Sequence, residues 1–160
     1  MFEELSQHIL DIAMNSLSAN ATKVQISITE SRRRDQLVLR VKDDGCGMDA
    51  PTLERVLARS WSSKSKRRKP VGLGLAFLRQ TCEMCDGRFQ VRSAPGRGTT
   101  VTASMRLSHI DRPPLGDLNA TILALCASDR KMEVQLNYRS DEEKFCFDSR
   151  ELTTKGAVAL

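Results

Sequence analysis

The sequence lacks the features that mark membrane-spanning or disulfide-stabilised proteins. No apolar run approaches the ~20 residues that a helix needs to cross a bilayer, and no signal peptide opens the chain. The five cysteines are an odd number in a chain without a secretion signal, so we interpret them as reduced thiols. These absences predict a cytoplasmic protein without a membrane partner.

Familiar nucleotide and metal signatures are missing as well. The phosphate-binding pattern GxxxxGK[ST] does not occur, and the element Gly72-Leu73-Gly74 does not open a βαβ unit, which argues against a dinucleotide-binding Rossmann fold. Cys82 and Cys85 form a CxxC pair inside an amphipathic helix with no second pair nearby. Because a zinc site needs about four ligands, this pair predicts core thiols instead.

The positive charge of the sequence is concentrated in two short stretches. The chain has 160 residues, 40% of them hydrophobic and 28% charged, which is typical of one soluble globular domain. Eight Lys and Arg residues cluster at 32–34 and 64–69, and without these eight the net charge of +5 becomes −3. This distribution favours a local contact with a polyanion over a surface that wraps DNA, so nucleic acid is not the expected partner.

Periodic apolar positions predict a mixture of helices and strands. Phe2 to Ala19 carries one apolar stripe at helical spacing, and Lys23 to Glu30 alternates as a half-buried strand does. The other predicted elements are a strand at 36–42, a helix from Pro51, a charged loop at 60–71, a helix at 72–86, and strands at 88–93 and 99–107. This order is neither a βαβ alternation nor all-β. We therefore expect an α+β fold, a two-layer sandwich in which helices cover one face of a mixed sheet.

The composition changes at residues 109–116, which predicts a linker after a first domain at 1–108. Residues 117–150 then predict a small α-β-β appendage, and 151–160 a loose tail. The hairpin edge of the appendage offers strand addition to a second subunit, so a homodimer through this segment is a hypothesis.

Two polar groups in the first half of the chain suggest a binding site. Asp11 and Asn15 are four residues apart and share one helix face, where a carboxylate and an amide can hold hydrated Mg²⁺ or position a water. A solvated helix face is the more ordinary interpretation of these two alone. Asp43, followed by Gly45 and Gly47, ends a predicted strand and can accept a hydrogen bond from an amino group on a flat ring. The ordinary alternative is an acidic turn.

A third element is the glycine pair Gly72 and Gly74 at the start of a predicted helix. Free N–H groups and the helix dipole favour anions there, and glycines let phosphate oxygens approach. Taken alone, a GxG element is weak evidence.

The order of these elements resembles the GHKL ATPase superfamily, which includes gyrase, the ninety-kilodalton heat-shock chaperone, histidine kinases and the mismatch-repair MutL proteins. The segment "DIAMNSLSANA" is similar to the N box of that family, and "DDGCGMD" to its first glycine box. The segment "VGLGLAFL" is similar to the second glycine box in its histidine-kinase form, and "SAPGRGTTVTASM" to the closing strand pair. The resemblance covers residues 2–107 and implies the Bergerat ATP-binding fold with ATP and Mg²⁺ as ligands.

The resemblance also implies roles for individual residues. Asp43 would accept the exocyclic amine of adenine, and Asn15 would coordinate Mg²⁺, with Asp11 a second candidate ligand. The further positions that it places at the nucleotide are Gly45, Gly47, Met48, Gly72, Leu73, Gly74, Leu75, and Thr99 or Thr100. The charged loop corresponds to the ATP lid, in which Lys64 is the candidate for a phosphate contact.

Two departures from the family pattern bear on the reaction. Asp11 stands where the ATP-hydrolysing members carry a glutamate general base, and a carboxylate set back by on the order of 1 Å can lower the rate ~10²-fold. Phosphoryl transfer to a side chain needs no such base, which favours a protein kinase resembling histidine kinases or anti-sigma-factor serine kinases. No phosphoacceptor segment precedes the core, and neither His8 nor His109 is the expected acceptor, so the acceptor is expected on a partner protein. The alternatives are an ATP-dependent binding switch and, less favoured, a DNA-associated ATPase.

Overall fold

The computed structural model describes residues 3–58, 73–129 and 131–151. They form four helices and six strands: α1 Leu5–Ser18, β1 Lys23–Ser31, β2 Gln36–Asp43, α2 Ala50–Ala58, α3 Leu73–Met84, β3 Phe89–Ala94, β4 Gly98–Arg106, α4 Leu118–Ser128, β5 Glu133–Arg139 and β6 Lys144–Asp148. Each helix and strand predicted within these residues is present. The predicted loop at 60–71 lies outside the described part of the chain.

One mixed sheet organises the molecule, with the strand order β3-β4-β2-β1-β5-β6. All neighbouring strands are antiparallel except β1 and β5, which are parallel. Alternate side chains of each central strand are buried, as with Val24, Ile26 and Ile28 on β1, because successive side chains in a strand point to opposite faces. The α+β mixed sheet is confirmed.

The helices cover one face of this sheet. α1 lies at the centre of the helical layer, where it contacts α3 on one side and α4 on the other. Leu5, Ile9 and Ile12 of α1 are almost fully buried against the sheet, as the apolar stripe of the sequence predicted. α1 begins at Leu5, after Glu4, whose backbone N–H is satisfied by the Gln7 side chain at 3.1 Å.

The C-terminal segment has the predicted order of one helix and two strands, but its strands extend the same sheet. β5 runs beside β1 in a continuous parallel register from Lys23–Glu133 to Thr29–Arg139. α4 begins at an Asp117 cap, whose carboxylate accepts from the Ala120 N–H at 3.0 Å, and it packs on α1. Segment 117–150 is therefore joined to the sheet by hydrogen bonds along a whole strand.

No helix among the described residues is both long enough and apolar enough to cross a lipid bilayer.

Candidate functional site

A cavity of about 450 Å³ opens between the C-terminal half of α1, the helix α2 and the ends of β2 and β4. This volume is within the range of about 300–1,000 Å³ that is usual for small-molecule sites. Ser16, Asp43 and Thr99 are joined by hydrogen bonds and form what is here called the polar wall. The residues that line the cavity are Ile12, Asn15, Ser16, Ser18, Ala19, Asp43, Cys46, Gly47, Met48, Thr52, Arg55, Val56, Leu75, Thr99 and Val101.

Asp43 is held in one orientation at the polar wall. Its Oδ2 accepts a hydrogen bond from the Ser16 hydroxyl at 2.6 Å, and its Oδ1 accepts from the backbone N–H groups of Gly45 at 2.9 Å and Thr99 at 3.2 Å. A carboxylate has about four lone-pair positions, so these three donors leave about one acceptor position on Oδ2. The carboxylate thus presents a fixed acceptor to the cavity.

Thr99 and Met48 are joined to this wall through Ser93. The Ser93 and Thr99 hydroxyls are 2.8 Å apart, and the Met48 N–H donates to the Ser93 hydroxyl at 2.8 Å. Thr100 is excluded from the cavity, because its side chain lies on the opposite face of the sheet beside Lys42, its partner in β2. Of the two threonines, only Thr99 lines the cavity.

Asp44, the second carboxylate of the "DDGCG" stretch, has a structural role. Its Oδ1 accepts from the backbone N–H groups of Thr22 at 2.7 Å and Lys23 at 2.9 Å, and its Oδ2 accepts from the Thr22 hydroxyl. Partial burial raises the pKa of Asp44, but these hydrogen bonds outweigh it and hold the pKa below its ordinary value. Asp44 thereby fixes the start of β1 to the end of β2.

The glycines after Asp43 are required by close backbone packing. Gly47 has φ +70°, and a Cβ there would collide with the Ala94 carbonyl. Gly45 is buried against the end of α1, where a Cβ would lie 2.9 Å from the Ala19 carbonyl oxygen. Gly47 lines the cavity, whereas Gly45 lies behind it, where it donates to Asp43.

Asn15 and Asp11 lie one turn apart on α1, as the spacing predicted, but only Asn15 lines the cavity. The Asp11 carboxylate lies against Gly74 near the N-terminus of α3, and it occupies the place that a Cβ at position 74 would need. Gly74 therefore lets the first turn of α3 approach α1. Leu75, the next residue, is buried and reaches the cavity.

Three predicted positions are described in part or not at all. Lys64 and Gly72 lie outside the described residues, as does the remainder of 59–72. Leu73 is the first residue of α3.

The sequence interpretation missed Ser16, Thr52 and Arg55. Ser16 follows Asn15 and is buried, and a hydroxyl beside a predicted site asparagine was an available signal. Arg55 lies on α2, and its guanidinium donates to the Thr52 hydroxyl at 3.3 Å. Among residues 3–58 and 73–129 it is the one cation that lines the cavity. Its place at the cavity depends on where α2 packs, which the sequence pattern does not give.

The residues of the cavity fit a purine nucleotide. The apolar side chains Ile12, Met48 and Val56 offer faces for a flat ring, and Asp43 offers an acceptor at its edge. Asn15 adds a side-chain oxygen of the kind that Mg²⁺ prefers. Among residues 3–58, 73–129 and 131–151, no group of three or more His, Cys, Asp or Glu residues is placed to hold a metal ion.

Comparison with known families gives one match over most of the chain. The family model described as histidine kinase-, DNA gyrase B-, and HSP90-like ATPase matches residues 1–109. The sensor histidine kinase ZraS of Escherichia coli is 28% identical over 114 residues, which are 71% of this chain and 24% of that protein. The virulence sensor protein BvgS of Bordetella bronchiseptica is 31% identical over 125 residues, which are 68% of this chain and 10% of that protein. The chain thus spans no more than about a quarter of the length of such relatives.

Solved structures show the same fold. The MutL ATPase domain of Aquifex aeolicus, complexed with ADP, superposes with a TM-score of 0.61 at 16% identity, covering 99% of this chain and 72% of that one. The N-terminal domain of a DNA repair protein also superposes with a TM-score of 0.61, at 15% identity, covering 91% of this chain and 52% of the other.

Proposed function

Because the chain belongs to the family of histidine kinase-, DNA gyrase B- and HSP90-like ATPases, we propose that its cavity binds Mg-ATP with the adenine on Asp43. The observation that carries this proposal is the Asp43 carboxylate, which three hydrogen bonds hold in place at the cavity lining and which has about one acceptor position left for a ligand. An exocyclic amine is a donor and matches that position, whereas the carbonyl that guanine has there is an acceptor and is repelled. The site would therefore select ATP over GTP.

Asn15 and the N-terminus of α3 would hold the phosphates. Asn15 lines the cavity one turn before Ala19, and its amide oxygen can coordinate a Mg²⁺ that the phosphates and water complete. The free N–H groups of the first turn of α3 favour anions, and Gly74 keeps this turn close to α1. Arg55 adds a positive charge at the cavity wall.

We propose transfer of the γ-phosphoryl group to a partner protein as the reaction. Asp11 is shorter than the glutamate base of the hydrolysing relatives, and Gly74 packs directly against its carboxylate. Both observations favour slow hydrolysis. Transfer requires positioning and charge neutralisation rather than a base that activates water. His8 is 1% exposed and so is a poor acceptor, which supports an acceptor on another protein.

The test uses ATP labelled at the γ-phosphate. The purified chain is incubated with Mg-ATP and with proteins that co-purify with it, and label is followed on each polypeptide. Label on a partner that depends on Asn15 supports the kinase. If labelled phosphate is released into solution as fast as ATP is consumed, and no protein becomes labelled, the kinase proposal is contradicted.

An ATP-dependent binding switch is the second candidate, and the sheet edge favours it. β6 is the last strand of the sheet, so one of its edges has no strand partner within the described residues. Phe145 on β6 is 49% exposed. An unpaired edge strand that carries an exposed aromatic side chain is suited to strand addition by a second copy of the chain.

Sedimentation with and without a non-hydrolysable ATP analogue distinguishes this candidate. The switch predicts a nucleotide-dependent dimer that Phe145→Lys abolishes while nucleotide affinity is retained. A chain that stays monomeric in both conditions contradicts it and leaves the kinase proposal intact.

A further inference from the structure

The face of the sheet turned away from the helices, here called the open face, is unusually basic. Along β1 to β4 most of the side chains that alternate with the buried ones are polar, with Val38 and Ala94 as the apolar exceptions, and no Asp or Glu is among them. The basic residues on this part of the open face are Lys23, Arg40, Lys42, Arg88, Arg92 and Arg106. The open-face carboxylates Glu133 and Asp148 lie on β5 and β6, where Arg150 pairs with both.

Strand register brings three of these cations together. Lys42 on β2 pairs with Thr100 on β4, and Thr100 pairs with Arg92 on β3. Because neighbouring strands are about 4.8 Å apart, the backbones of Lys42 and Arg92 are about 10 Å apart. Arg40 is two residues from Lys42 on the same face. All three side chains are exposed, and none forms an ion pair with any other residue that the structure describes.

Hydroxyl and amide groups lie between the cations. Thr100, Thr102 and Ser104 follow one another along β4 on this face. Gln90 on β3 pairs with Thr102, and Ser27 on β1 pairs with Arg40 on β2. Such side chains, together with Arg and Lys, are the usual donors to phosphate oxygens in protein–DNA complexes.

The composition of the open face excludes other common partners. Protein interfaces have an apolar core enriched in aromatic residues, but Val38 is the one large apolar side chain on this face of β1 to β4. Single-stranded nucleic acids stack on aromatic side chains, and these four strands present none on this face. Phosphate contact without stacking is typical of a duplex, whose bases remain paired.

We infer that the open face of β1 to β4 docks the phosphate backbone of double-stranded nucleic acid. The four strands span about 14 Å, comparable with the major-groove width of about 12 Å, so the cations can reach phosphates on both sides of a groove. The interaction is independent of sequence because the face offers charge and simple donors. It is also independent of the nucleotide cavity, which lies on the other face of the same sheet.

The folded protein distributes its charge unevenly between its surfaces. From the sequence, the protein outside the clusters at 32–34 and 64–69 has a net charge of −3, which suggested an acidic body. The fold separates that charge, placing cations on the open face of β1 to β4 and carboxylates elsewhere. A near-neutral average thus conceals a strongly basic surface.

The test is binding of a short fluorescent DNA duplex of mixed sequence, measured by anisotropy over a series of salt concentrations. The variant Arg40→Gln/Lys42→Gln/Arg92→Gln should lower affinity at least about tenfold and reduce the slope of log K against log salt by about 3. The matched control Arg32→Gln/Arg33→Gln/Arg34→Gln removes the same charge from the β1–β2 turn. It should change affinity less than about threefold and leave the slope nearly unchanged. ATP affinity unaltered in the first variant verifies the fold.

Several outcomes overturn the inference. One is an equal loss of duplex affinity in both triple variants, which would mean that binding depends on net charge alone. Another is a loss of duplex affinity in the variant Lys66→Gln/Arg67→Gln/Arg68→Gln alone, which would assign duplex binding to residues 66–68. Tighter binding of the single strand, of an acidic polypeptide or of anionic vesicles than of the duplex contradicts the assigned partner. Absence of duplex binding at low salt contradicts the inference outright.

Discussion

The Ser16 hydroxyl donates a hydrogen bond of 2.6 Å to Oδ2 of Asp43, which links the middle of the site to a buried position on α1. Ser16 is 2% exposed, so this bond is shielded from competing water. With Gly45 and Thr99 bonded to Oδ1, the carboxylate plane is fixed before any ligand arrives. A fixed acceptor loses little entropy when a base binds to it.

Asp43→Asn should abolish selective ATP binding while the fold is retained. The amide nitrogen would present a donor where the adenine amine also donates, and the charge that strengthens the bond is lost. Hydrogen bonds to charged groups contribute about 1.5–3 kcal/mol, so ATP affinity should fall about 10- to 100-fold or more. Titration calorimetry with ATP and GTP measures the change.

Asp44→Asn is the matched control for that variant, since it removes the neighbouring carboxylate. Asp44 anchors Thr22 and Lys23 and does not line the cavity, so thermal stability should fall while ATP affinity changes little. A parental ATP affinity in Asp43→Asn would refute the adenine assignment.

The lowered pKa of Asp44 also predicts a pH dependence of stability. A carboxyl group whose folded pKa is below its unfolded value of about 3.9 stabilises the fold above that pH and loses the contribution as pH falls below it. Acid unfolding should therefore be less steep in Asp44→Asn than in the parent below about pH 4. Denaturant titrations at a series of pH values measure the free energy of unfolding. If the free energy of unfolding depends on pH in the same way in both proteins, ionisation of Asp44 does not contribute to the pH dependence of stability.

Asn15→Ala should remove the Mg²⁺ dependence of ATP binding. Asn15 supplies the one side-chain amide oxygen that α1 presents to the cavity, and its removal takes away the ligand that we propose for Mg²⁺. ATP affinity measured with Mg²⁺ should approach the affinity measured with a chelator, and the latter should remain as in the parent. An unchanged Mg²⁺ titration argues that the ion is held elsewhere.

Arg55→Gln should weaken ATP binding without altering adenosine binding. The guanidinium is exposed at the cavity, where an ion pair at about 4 Å is worth about 1 kcal/mol in water, so a several-fold loss is expected. Arg97→Gln, an exposed cation in the β3–β4 turn, is the control and should have no effect. Equal losses for ATP and adenosine would mean that Arg55 contacts the base or the ribose instead.

The sequence predicted the helices, the strands and the position of Asp43, because each depends on local periodicity and on neighbouring residues. The sequence also distinguishes Thr99 from Thr100, since the apolar residues Val101, Ala103 and Met105 of β4 alternate in phase with Thr99 and place it on their face of the sheet. Arg55 and the cluster of Lys42 with Arg92 were not accessible in this way. Both depend on long-range placement: that of α2 beside the cavity, and the register of three strands.

The contact between Gly74 and Asp11 predicts an interaction that a double-mutant cycle can measure. Gly74→Ala introduces a methyl group where the Asp11 carboxylate lies, so the end of that flexible side chain must move, while alanine itself favours a helix over glycine by about 1 kcal/mol. Asp11→Ala removes the obstacle, so Gly74→Ala should be more stabilising in that background than in the parent, with a coupling energy of about 0.5 kcal/mol or more. Denaturant unfolding of the four proteins gives the cycle, and ATP affinity measured in parallel reports on α3. If the two substitutions are additive, α3 does not rest on Asp11 and the reason for glycine at position 74 lies in the approach of phosphate.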